Sequence, residues 1–135
     1  MIVAMAAAFA VGGSTSAEAG ERTAFREASP LVRHSQPVRN GSTVTLRATL
    51  HTSNGGLSNQ IVKFYVQVNG RWVYVGQNRT DRAGHVSISP RVTLPGPLGR
   101  DGVVLRWAPV FEQTSRHNGA DARNGIMGTG FILTP

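Results

Sequence analysis

The side chains best suited to hold a ligand gather around one dipeptide. In VKFYVQVNGRWVYVG, residues 62–76, two aliphatic runs flank Asn69-Gly70, and Tyr65, Trp72 and Tyr74 fall among them. Asn-Gly between β-forming runs is the favoured two-residue hairpin turn, because both residues accept positive φ. With that turn, Val68 faces Arg71, Gln67 faces Trp72, Val66 faces Val73, Tyr65 faces Tyr74 and Phe64 faces Val75. One face then carries Val62, Phe64, Val66, Val68, Val73 and Val75, the pattern of a core face. The other carries Lys63, Tyr65, Gln67, Trp72 and Tyr74. Cross-strand neighbours lie about 5 Å apart, so the three aromatics are expected to form one patch. Such a patch beside Lys63 and Gln67 suits stacking on sugar rings or docking of another protein. A structural use is the simpler reading, since aromatic pairs stabilise an exposed sheet face, the N-terminal arm could lie across them, and a longer turn would slip the register and send Trp72 inward.

Other chemistry finds little footing. His34, His51, His85 and His117 match no metal-ligand spacing, and the chain has no cysteine, which excludes thiolate sites, thiol nucleophiles and disulfides. Asp81, Asp101 and Asp121 stand singly in loops, each near an arginine, and read as turn caps rather than calcium ligands. No serine sits in a nucleophile elbow, and the few carboxylates form no pair suited to glycoside hydrolysis. No metal, cofactor or catalytic residue is expected, and the reading is non-enzymatic. The loop arginines Arg100, Arg116 and Arg123 are the second set of candidate contacts.

The elements that must carry these residues alternate with period two. TVTLRATLHT places Val44, Leu46, Ala48 and Leu50 on one face, and Thr43, Thr45, Arg47 and Thr49 on the other. Turn clusters follow at SNGGLSN and TDRAG. HVSIS, VVLRWAPVF and IMGTGFIL complete the strands, and LPGPLGRDG is a breaker-rich loop. No segment after residue 20 keeps a helical period. Six strands and a candidate seventh predict an all-β, immunoglobulin-like antiparallel sandwich of about seven strands over residues 41–135. Residues 20–40, polar and interrupted by Pro30 and Pro37, read as an arm or linker with a candidate edge strand near Leu31-Val32.

The chain resembles the bacterial immunoglobulin-like domains of exported, actinobacterial-type surface and secreted proteins. Gly70-Arg71-Trp72-Val73-Tyr74-Val75-Gly76, followed by Thr80-Asp81-Arg82-Ala83-Gly84, carries the resemblance, which spans roughly residues 41 to 133. It implies a spacer, adhesive or accessory role. Its motifs are turn glycines and an anchoring aromatic, which report fold rather than chemistry.

At the other end, MIVAMAAAFAV followed by GGSTSAEAG resembles a secretory signal over residues 1–19, with Ala17-Glu18-Ala19 as the cleavage pattern. Removing it takes Glu18 and no basic residue, so the net charge of +7 becomes +8. Thirteen of the fourteen basic residues are arginine, and Lys63 is the only lysine. A basic exported protein is drawn to anionic polymers, although scattered arginines also serve solubility. The sequence therefore predicts a secreted or cell-wall-associated binding module without a membrane span, its ligand a protein or cell-wall glycan. The alternative is a small secreted inhibitor or small-molecule carrier, with the loop Leu94 to Gly102 or the strand Ile126 to Leu133 as its working part.

Overall fold

A computed structural model describes residues 20–26, 37–124 and 130–135. The chain forms two facing sheets. The smaller contains β1 (Ala24–Arg26), β3 (Leu46–Thr52), β4 (Gly55–Gly56) and β7 (His85–Ile88). The larger runs β2 (Val38–Arg39), β10 (Gly130–Thr134), β8 (Val103–Phe111), β5 (Ile61–Val68), β6 (Arg71–Arg79), with β9 (Ala120–Asp121) also on β8. The sheets, β1-β3-β7 on one side and β10-β8-β5-β6 on the other, make a β-sandwich. Among the described residues no helix is long and apolar enough to cross a membrane.

Two expectations are corrected. Among the described residues there are ten strands rather than about seven, because β2, β4 and β9 are two-residue pairings that no periodicity could reveal. The sheets are also not purely antiparallel, since β2 runs parallel to β10 with Leu133 opposite Val38. Strands before Gly41 contribute to both sheets: β1 pairs Phe25 with Leu50, and β2 edges the larger sheet. Leu31-Val32, the signal-like segment 1–19, His34 and residues 125–129 lie outside the described residues.

The core follows from the alternation. β3 buries Leu46, Ala48 and Leu50, while β5 buries Val62, Phe64 and Val66. Trp107 of β8 is completely buried between the sheets, its ring 6.0 Å from that of Phe64. The turns take the conformations their residues favour. Asn69 and Gly70 have φ of 52° and 77°, as a tight hairpin turn requires. Asp81 closes the next turn, its Oδ1 accepting from the N–H groups of Ala83 and His85 at 2.9 Å. Asn40 clamps the breaker-rich loop, exchanging two hydrogen bonds with the Leu94 backbone.

Candidate functional site

The outer face of the larger sheet is laid out in rows across β8, β5 and β6. Arg106, Gln67 and Trp72 form one row, Ala108, Tyr65 and Tyr74 the next, and Val110, Lys63 and Gln77 the third. The expected pairing holds from Val68↔Arg71 to Tyr65↔Tyr74. It then breaks, because Phe64 faces Gly76 and not Val75. Val75 is the extra residue of a bulge, and Gly76, at φ 150°, supplies the backbone freedom the bulge needs. The bulge keeps Tyr74 and Gln77 on one face, where the Tyr74 hydroxyl donates to Gln77 Oε1 at 3.1 Å.

Val73 is a second correction. It was assigned to the core, yet 45% of it is exposed. β6 is the last strand of the larger sheet, and its far end lies near β7, with Asn78 Nδ2 donating to the Ser87 carbonyl. Val73 lies toward the hairpin end of this last strand, and its side chain meets solvent although it lies opposite buried Val66.

The aromatics are not one uniform patch. Tyr65 and Tyr74 meet edge to face at 5.8 Å, the geometry that ring quadrupoles favour. Tyr74 is half exposed. Trp72 is partly buried in the neighbouring row, opposite Gln67. Arg123 joins from the turn after β9, its guanidinium 4.7 Å from the centre of the Tyr65 ring. Asp121 fixes that position by a fork: Arg123 Nη2 donates to Oδ2 at 2.7 Å and Nε to Oδ1 at 3.0 Å. The result is a continuous stack, Asp121–Arg123–Tyr65–Tyr74–Gln77. Lys63 borders it, paired with Glu112 at 2.9 Å.

These contacts set the local titrations. The hydrogen bond to Glu112 raises the Lys63 amine above its usual range. The hydrogen bond to Asp121 raises the Arg123 guanidinium, and the same bond lowers the Asp121 carboxyl. A carboxyl depressed in the folded state contributes stability above its ordinary value of 3.8 and loses it as the pH falls further, through the folded value. Tyr65 ring resonances are therefore expected to shift in acid below that value as Arg123 is released. Asp121→Asn should show the released spectrum at neutral pH. Unchanged Tyr65 resonances in both cases would mean that the fork does not hold the stack.

The other two loop arginines lie elsewhere. Arg100 occupies the turn closed by Gly102 N–H donating to the Gly99 carbonyl, at the Val103 end of β8. From Val103 to Ala108, beside Tyr65, is about 17 Å of extended strand. Arg116 is exposed in the loop after β8, where its carbonyl accepts the Glu21 N–H. Arg106 and Asp121 belong to the face and were not among the sequence candidates. Strand alternation already turned Arg106 outward, but only the neighbouring of β8 and β5 puts it beside Gln67. Among the described residues no three His, Asp or Glu gather as a metal site. What the face offers is ring surface fringed by amide, hydroxyl and guanidinium groups, suited to stacking and hydrogen bonding. Compared with protein-family models and with curated proteins, the chain matches none.

Proposed function

We propose that this chain is a secreted, non-enzymatic binding module of immunoglobulin-like type, working at or near the cell surface. Its contact face is the stack of Tyr65 and Tyr74 with Arg123, flanked by Lys63 and Trp72. The observation that carries this reading is the stack itself: half-exposed Tyr74 meets the Tyr65 ring, and Tyr65 in turn carries the fork-fixed Arg123. Rigid aromatic and arginine anchors lose little entropy on binding and dominate contact energies. The favoured ligand is a cell-wall glycan, whose sugar rings present flat C–H faces to Tyr74 and hydroxyls to Gln67, Gln77 and Arg106. A protein ligand would use the same anchors.

The test is an amide-resolved NMR titration with N-acetylglucosamine oligomers. Shifts are expected around Tyr65, Trp72 and Tyr74, with Tyr74→Ala weakening binding about three- to tenfold. Binding that Tyr74→Ala leaves intact would sink the assignment of this face. One observation favours a second reading, a small-molecule carrier. Leu94, Leu98, Val103 and Val104 line an open groove of about 400 Å³ beside the hairpin tip, within the size range of ligand clefts. Shifts at Val103 and Val104 instead of Tyr74 would select it.

A further inference from the structure

The opposite side of the sandwich carries a different chemistry. Outward-facing residues of β3 and β7 pair as Arg47 with Ser87 and Thr49 with His85, above the buried Ala48 and Val86. Thr45 and Ser89 extend the row, their hydroxyls 3.1 Å apart. β3 and β7 contain no acidic residue. Where the end of β6 crosses to β7, a groove of about 550 Å³ opens, lined among others by Arg47, Thr49, Arg79, Asp81, His85 and Ser87.

The geometry points to this groove as a binding site for a phosphate group. Its donors are arranged in advance. Arg79 is held at the corner by Nη1, which donates to the Asn59 carbonyl at 3.2 Å, leaving Nε and Nη2 for a ligand. His85 is held by the Thr49 hydroxyl, 2.8 Å from Nδ1. When Nδ1 accepts the hydrogen bond of that hydroxyl, the ring N–H is on Nε2, which is then a donor. Among the described residues Arg47 has no ion pair. Among the described residues Asp81 is the one carboxylate in the lining, and its Oδ1 already accepts two backbone N–H groups. Two guanidinium forks, an imidazole and hydroxyls reach the space from several sides. That suits a tetrahedral oxyanion with three or more acceptor oxygens better than a planar carboxylate with two. The site is centred on β3 and β7 of the smaller sheet and shares no residue with the aromatic stack, Arg79 coming from the far end of β6, so it stands or falls independently of that stack.

Titration of the full chain with inorganic pyrophosphate tests the site. Amide shifts are expected at Arg47, Thr49, Arg79 and His85. Arg47→Ala should weaken binding about five- to tenfold. Arg71→Ala, which removes the same charge at the hairpin tip, should change it less than about twofold, as exposed distant charges do. Asp81→Asn keeps the turn-capping acceptor but removes the opposing charge, and should tighten binding about two- to threefold. Soluble polyphosphate and phosphatidylglycerol vesicles, run with the same variants, tell whether the group comes free, along a chain or on a lipid surface. Equal losses for Arg47→Ala and Arg71→Ala, or shifts scattered over all arginines, would overturn the site and leave diffuse attraction to anions.

Discussion

Gly84→Ala should destabilise the protein by about 3 kcal/mol or more, the sum of an unfavourable left-handed φ and a backbone collision. Gly84 sits at φ +85° where the turn before β7 presses against β3 and β4. A methyl group there would collide with the Leu50 carbonyl and stand 2.9 Å from the Leu57 nitrogen. Neither neighbour can yield cheaply. Leu50 N–H donates to the Gly84 carbonyl at 2.9 Å, Leu57 N–H donates to the Leu50 carbonyl, and Gly84 N–H donates to the Asp81 carbonyl at 3.0 Å. Gly70→Ala is the matched control. It has φ +77° but open space around it, so it should cost only about 1–2 kcal/mol. Urea unfolding of the two variants separates conformational cost from collision. Equal losses would mean that the turn and β3 do not meet as closely as described.

The same position shows what the sequence could and could not carry. Thr80 to Gly84 reads as a turn with Asp81 as cap, and that is how it is built, because turn chemistry is local. That Gly84 also touches β3 depends on a strand more than thirty residues earlier. The limit recurs along the chain. Alternation placed the buried faces of β3 and β5, since burial on one side leaves a period of two in the residues themselves. It could not show β2 parallel to β10, or the two-residue β9, because such short pairings are chosen by the rest of the fold.

The site divides the same way. Asn69-Gly70 fixes the register from within the hairpin, so Tyr65 opposite Tyr74 was legible. The bulge at Val75 was not, although Gly76 was its visible mark. Val73 was misplaced because exposure at a sheet edge depends on how far the facing sheet extends, which a single hairpin does not encode. Arg123 was named only as a loop cation. Its place over Tyr65 follows from β9 pairing Asp121 with Val110, next to the strand that bears Tyr65. The groove at Arg47 and Arg79 joins residues from three separate strands and a turn, and no spacing in the chain announces it.

Trp107 should give a large and asymmetric response. It is completely buried against Phe64, so Trp107→Ala removes a large ring from a packed core and should cost about 3–5 kcal/mol. Trp107→Phe should cost less than about 1.5 kcal/mol, although it too removes volume. The difference lies in the indole N–H. Nε1 is buried and has no hydrogen-bond partner among the described residues. Desolvating a donor without a partner costs about 1–3 kcal/mol, and phenylalanine removes that penalty together with the lost contacts. Chemical denaturation of both variants measures the two costs. If Phe costs as much as Ala, Nε1 has a partner in solution and the indole is held by more than packing. Trp107→Phe also leaves Trp72 as the only indole. Its emission should then lie to the red of the wild type, with partial acrylamide quenching, as its half-buried place beside Gln67 requires. Full protection from acrylamide would mean that another surface covers the row in which Trp72 lies, and the stack at Tyr65 would then be part of a contact already made.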